Sequence, residues 1–204
     1  MPSLPRRTVL GSLLLASLAS SAASAQSPRF DLPTLASLLA QRRNTPSGEQ
    51  QSRFSEERFV AGLDQPLRAS GTLSFVPPAR FVRQTLEPRP ETLAIDGNQL
   101  TMTRSGRTRT MALDSVPEAG ALLDALRGAL TGDLAALQRH YEPRLDGSLV
   151  RWRLTLTPRS ERLGTQIQRL LLEGEAGVLR TIELHLAGGD RSVMQIEPVA
   201  ATKR

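Results

Sequence analysis

The chain of 204 residues contains no cysteine, which excludes disulfide scaffolds, thiolate metal sites and any acceptor for the diacylglycerol that tethers bacterial lipoproteins. Aromatic residues make up 3% of it, with one tryptophan, too few for the stacking platforms that hold single-stranded nucleic acids. Lysine is almost missing: Lys203 is the only one, so arginine carries the basic charge. The arginines are scattered, and the formal charge of +6 becomes +4 once Arg6 and Arg7 are set aside. Nucleic acid is therefore not an expected partner. Transient contact with an anionic membrane surface suits the excess better, an arginine near such a surface being worth ~1 kcal/mol. No apolar run reaches the ~20 residues that a spanning helix needs. The catalytic inventory is equally thin. His140 and His185 are the only histidines and lie far apart; there is no His-Glu-x-x-His pair, no Gly-x-Ser-x-Gly elbow, no phosphate loop and no dinucleotide fingerprint. Glu56, Glu57, Glu173 and Glu175 are carboxylates with scope to pair, but charged groups on strands and turns are ordinarily solvated. The expectation is a protein that is not an enzyme and uses neither metal nor cofactor.

What is present starts at Met1. Arg6 and Arg7 form a positive n-region, Val9 to Ala19 an apolar h-region, and Ala23-Ser24-Ala25 a small-residue cleavage site. Residues 1–25 are expected to be a cleaved export signal, leaving 26–204 as one soluble, monomeric domain outside the cytoplasm. Arg6-Arg7-Thr8-Val9-Leu10 is close to a twin-arginine signal, with Pro5 and Val9 departing from it, so twin-arginine export and general secretion both stay open.

Beyond the signal, Asp31 is placed to cap a helix carrying Leu32, Leu35, Leu38 and Leu39, with Pro33 in its first turn and Thr45-Pro46-Ser47-Gly48 ending it. The period then becomes alternating. Segments 70–76, 80–86, 92–95, 99–103 and 107–111 read as strands of an antiparallel meander, with turns at Pro77-Pro78, Asp96-Gly97 and Ser105-Gly106. Ser115-Val116-Pro117-Glu118 reads as a capping box that opens a helix with Leu122, Leu123, Leu126 and Leu130 on one face. Thr131-Gly132-Asp133 breaks it. A second short helix follows with Leu134, Leu137 and Tyr141, stopped by Pro143. Alternation resumes at 149–156, where Val150, Trp152, Leu154 and Leu156 share a face, and continues at 166–172, 178–186 and 192–196 with turns at Glu175-Ala176-Gly177 and Gly188-Gly189-Asp190.

A long antiparallel sheet with one apolar face must cover that face, and the helices available are few and short. If the sheet curls around them, an apolar hollow is left for a hydrophobic ligand; if the helices fill the space, none is. The sequence leaves both open.

The residues also carry a resemblance. Gly71-Thr72-Leu73-Ser74-Phe75, Pro77-Pro78-Ala79-Arg80-Phe81, Glu87-Pro88 and Ile95-Asp96-Gly97, within Phe54 to Leu113, resemble the periplasmic outer-membrane lipoprotein carrier family (LolA/LolB-like). The order of elements agrees over the mature chain, with Phe54, Gly71, Phe81, Asp96 and Gly97 as matching positions. The resemblance implies an α+β fold: a curved, incomplete antiparallel β-barrel of about eleven strands, with helices over its concave face as a lid. It also implies a periplasmic carrier that shuttles the acyl chains of a lipoprotein or other lipid between an inner-membrane donor and an outer-membrane acceptor. Phe54, Leu73, Phe75, Phe81, Trp152, Leu154 and Leu156 would line the cavity, and Leu122, Leu123, Leu126 and Leu130 would form the lid. The chain departs from the carrier at Phe75-Val76-Pro77-Pro78, where a tryptophan and a basic residue are usual, and at Leu100-Thr101-Met102, where aromatics are usual. Little follows Pro198 where the carrier has a C-terminal extension, and the lipid-acceptor cysteine of the membrane-anchored branch is missing. The expected protein is a divergent relative whose cargo is an acylated or polyene lipid. The alternative is a non-catalytic module that presents its sheet to a partner protein.

Overall fold

The computed structural model describes residues 30–41, 50–76 and 80–199. The export signal, the Thr45-Pro46-Ser47-Gly48 turn and the Pro77-Pro78 pair lie outside these residues. Helix α1 (Leu32–Gln41) starts where Asp31 accepts the Thr34 amide at 2.9 Å. The strands are β1 (Gln50–Phe59), β2 (Leu67–Val76), β3 (Arg80–Glu87), β4 (Glu91–Asp96), β5 (Gln99–Arg104) and β6 (Arg107–Ala112) in the first half. A 3-10 turn, α2 (Pro117–Thr131) and α3 (Leu134–His140) follow. The second half holds β7 (Tyr141–Gly147), β8 (Arg151–Pro158), the one-turn α4 (Glu161–Gly164), β9 (Ile167–Glu175), β10 (Val178–Leu186) and β11 (Arg191–Pro198).

All eleven strands form one antiparallel sheet in the order β6-β5-β4-β3-β2-β1-β11-β10-β9-β8-β7. Two hairpin meanders are thus joined in the middle by β1 against β11, from Ser52 opposite Pro198 to Phe59 opposite Arg191. The sheet is open, and its two edge strands, β6 and β7, are consecutive strands in the chain. The connection between them contains α2 and α3, so the helices have to cross the concave side from one edge to the other. This is the expected architecture, and it explains why the helical insertion falls midway through a sheet protein.

Two of the eleven strands are not visible in the sequence pattern. β1 reads Gln-Gln-Ser-Arg-Phe-Ser-Glu-Glu-Arg-Phe and has no apolar alternation; its inward positions include Phe54 and Glu56, the latter a carboxylate only 6% exposed. β7 begins at Tyr141, which caps α3 in extended conformation rather than extending it. Pro143 is accommodated because β7 is an edge strand, where a missing amide costs no ladder bond. Three smaller expectations also change. Ser115 does not cap α2: Val116 is the N-cap without a side-chain bond, and the Ser115 hydroxyl donates to the Ala112 carbonyl at 2.6 Å. Val150 does not share the inward face of Trp152, because it sits in the turn before β8 and is 77% exposed. The four-residue α4, capped by Ser160, was too short to leave a helical period.

Gly71 shows why one matching position is a glycine. It lies opposite Phe54 on β1, and the β2–β3 register shifts between Ser70 and Gly71. A Cβ built there would lie 1.9 Å from the Gln84 carbonyl oxygen, so β3 approaches closer than any side chain permits. Gly71→Ala is therefore expected to lower stability by about 1–3 kcal/mol, measured as a fall in the urea midpoint at unchanged slope. Gly188→Ala is the control: its Cβ would meet nothing within 4 Å, and it is expected to stay within ~0.5 kcal/mol of the parent.

Candidate functional site

The concave face is built from alternate residues of each strand. On β8, Trp152, Leu154 and Leu156 point inward and are fully or almost fully buried, while Arg151 and Arg153 point outward to Glu175 and Glu173. Trp152 lies opposite Gly174, and a Cβ on Gly174 would fall 2.2 Å from its ring. The glycine thus gives the indole its place, and the indole Nε1 donates to the Ala176 carbonyl at 2.8 Å. From the other half come Phe54, Leu73, Phe75 and Phe81, all buried, with Phe75 directly opposite Phe81.

All seven expected lining residues belong to one buried cluster, together with Leu35 and Leu39 of α1, Leu123 and Leu126 of α2 and Leu137 of α3. Leu122 and Leu130 are half-buried against it. The four lid leucines therefore do not share one equivalent face. The side of α2 that approaches α3 is made of small residues as well as leucine: a Cβ on Gly128 would meet Leu137 at 2.4 Å. Sequence periodicity weighted the leucines and missed Ala121, Ala125 and Ala129, which are buried as deeply as any of them.

Two clefts open at the margin of α2. One, of about 480 Å³, runs between α2 and β9–β10 and is bordered by Leu122, Ile167, Leu184 and Leu186. The other, of about 690 Å³, shares Glu118, Thr165 and Gln166 with it and continues past Asp124, Arg127 and His140. Asp124 ties the helices together there. Its carboxylate accepts from Arg139 at 2.5 Å and lies 3.0 Å from Arg127 and 3.3 Å from the His140 Nε2. The Arg127 Nε and the Tyr141 hydroxyl are buried nearby without hydrogen-bond partners. Burial, with the Asp124 carboxylate as a second cause, pushes the Tyr141 phenol above its ordinary range.

A polar group also sits in the wall itself. Glu56, inward on the central strand β1, pairs with Arg83 on β3 and accepts from the Ser192 hydroxyl on β11. The Arg83 guanidinium stacks 4.8 Å over the Phe54 ring, a cation–π contact. Sequence reasoning named Glu56 only as a solvated carboxylate. The signal that would have found it is its place two residues after Phe54 on one strand face. Among the described residues no group of three or more histidine, aspartate or glutamate side chains is arranged to hold a metal ion, and no helix is long and apolar enough to cross a membrane.

An open antiparallel sheet wrapped round bridging helices, with an apolar inner wall, defines a class of binding scaffold. The family of outer membrane lipoprotein carrier protein LolA-like proteins matches residues 34–202, and the chain belongs to it. No curated protein sequence matches the chain. Among solved structures, the LolA superfamily protein NE2245 from Nitrosomonas europaea is 14% identical, with 80% of this chain and 90% of that one covered and a TM-score of 0.42. Lipoprotein LppX of Mycobacterium tuberculosis is 8% identical, with 84% and 98% covered and a TM-score of 0.42. The MucA/MucB complex of Pseudomonas aeruginosa is 21% identical, with 85% of this chain and 59% of that one covered and a TM-score of 0.36. All three likenesses are distant.

Two outcomes follow from the buried polar groups. The unfolded chain ionises Tyr141 near pH ~10, whereas the folded chain keeps it neutral to higher pH. The folded-state value is the raised one, so its contribution is intact below about pH 10 and is lost as pH climbs above that. Tyr141→Phe is expected to unfold at higher pH than the parent in an alkaline titration followed by circular dichroism, and to be no less stable at pH 7 because it removes an unpartnered hydroxyl. Glu56→Leu, which strands Arg83, is expected to cost about 1–3 kcal/mol in urea unfolding. Adding Arg83→Leu should recover most of that.

Proposed function

We propose that the protein is a periplasmic, non-catalytic carrier that holds the acyl chain of a lipoprotein or other lipid between the sheet and helices α2 and α3, and passes it between membranes. The observation that carries this reading is the composition of the inner wall: aromatic and leucine side chains from eight strands converge on one cluster, and the connection that covers them runs between the two sheet edges. Membership of the LolA-like family supports the periplasmic location, as does the export signal read in residues 1–25 with a mature domain from Gln26. Each buried methylene is worth ~0.8 kcal/mol, so one long chain supplies ample affinity and release becomes the difficult step. Leu123 and Leu126 of α2 are buried in the same cluster as Leu154 and Leu156 of β8. Self-contact of the lid then competes with cargo, and loading requires α2 to move outward. The cleft beside Leu122 opens between α2 and strands β9 and β10.

A second reading is a module that presents its sheet to a partner protein. The filled interior favours it, because it needs no rearrangement, and so do the two unpaired edges β6 and β7. Organic extraction of the protein purified from its membrane-containing host separates the two. A carrier is expected to return long-chain acyl species by mass spectrometry, and repeated extracts without lipid would contradict the carrier reading. Leu122→Glu is expected to weaken binding of a fluorescent fatty acid about tenfold or more, an ionised carboxylate being costly in an apolar contact, while the strand signal in circular dichroism is unchanged. Unaltered affinity would place the chain elsewhere.

A further inference from the structure

The concave face changes character along the strands of the first half. Under the helices, Met111, Leu100, Ile95, Phe81 and Phe75 lie side by side from β6 to β2. Two residues further along, the same face carries Arg109, Met102, Leu93, Arg83 and Leu73. The next row begins Arg107, Arg104, Glu91. The facing is fixed by the threonines between them. Thr101 and Thr110 lie 3.3 Å apart at their hydroxyls and Thr103 and Thr108 3.0 Å apart, on the opposite side of β5 and β6. By strand alternation Arg107 and Arg109 share the face of Leu100 rather than that of the threonines.

The cations in these rows are not evenly neutralised. Glu56 holds Arg83, and Glu91 lies 3.7 Å from Arg104. Arg107 and Arg109 are exposed and have no ion-pair partner among the described residues. Leu93 and Met102, both half-buried, form the transition between the apolar rows and the arginines. The trough therefore runs from an apolar floor to a free cationic end within three successive rows of residues. That order matches an amphiphile with a negatively charged head.

We propose that Arg107 and Arg109 bind the phosphate-bearing head of a lipid whose chain lies beneath α2, which makes an anionic lipid the preferred cargo. The proposal rests on the carrier reading. The chemistry is that of the guanidinium, whose planar fork of donors matches phosphate oxygens and keeps its charge at every physiological pH. Both arginines are on an edge strand, so a head group reaches them without unpairing the sheet.

The test uses the full exported protein and two fluorescent probes with the same sixteen-carbon chain, one ended by a phosphate monoester and the other by an uncharged glucoside. The phosphate-ended probe is expected to bind about tenfold more tightly at low salt. In the Arg107→Gln/Arg109→Gln double variant that advantage should disappear while the glucoside probe binds as before. Both positions are exposed, and an unchanged urea midpoint verifies that the variant is folded. Equal affinity for the two probes, or an advantage that survives in the double variant, overturns the head-group assignment and leaves the carrier reading standing. Failure of both probes to bind overturns the two together. A soluble acidic peptide that bound as tightly as the phosphate-ended probe, and lost its affinity in the same double variant, would reassign the arginines to a protein partner and overturn the proposal.

Discussion

An open sheet of eleven antiparallel strands has one apolar face and too few helices to spare, and the rest of the structure follows from how that face is covered. Its edge strands β6 and β7 are consecutive in the chain, so the connection between them has to span the mouth of the trough. Placing α2 and α3 in that connection covers the apolar face with helices that pack on α1 and on each other. Asp124, bonded to Arg139 and close to His140, holds the two helices to each other, while their grip on the sheet is almost wholly apolar. Apolar contact is non-directional, so an alkyl chain can replace it without leaving a polar group unpaired. A polar grip on the sheet would not permit that exchange.

The inner wall is not uniformly apolar. Glu56, Arg83 and Ser192 link β1, β3 and β11 at the centre of the sheet, where the two meanders meet. A buried ion pair of this kind is weak evidence for stability, since well-packed apolar residues often do as well. Its geometry nevertheless fixes which residues oppose each other across the join, and a slip of one residue on β1 would turn both Glu56 and Phe54 to the outer face. The same wall grades into the arginine end of the trough, so polarity increases along the strands away from the helices.

Much of this was legible in the sequence. Nine strands stood out by alternation and turn residues, α1 by its Asp31 cap and leucine spacing, and the sheet-helix-sheet order by the change of period at Ser115. The two strands that were not legible fail for identifiable reasons. β1 points Ser52 and Glu56 inward beside Phe54, so a strand stabilised by cross-strand ion pairing shows no apolar period. β7 follows α3 without an intervening turn, and Tyr141 satisfies the helical pattern of one element while it begins the next. Parity put Trp152, Leu154 and Leu156 on one face of their strand, and all seven residues named for the wall are buried in one cluster, Phe54 among them although its own strand shows no period. What parity could not reveal was the depth of helix packing, because that depends on small residues: Ala121, Ala125, Gly128 and Ala129 let α2 settle close to its neighbours, and a leucine count gives them no weight.

The central claim is that the interface between α2 and the inner wall is exchangeable for an alkyl chain. Intermolecular nuclear Overhauser effects between a protonated sixteen-carbon fatty acid and methyl-labelled leucines measure this directly. The account predicts contacts from the chain to Leu154, Leu156 and Leu126 together, three residues that are buried in one cluster. Contacts confined to the outer face, or none to Leu126 at saturating ligand, would contradict it.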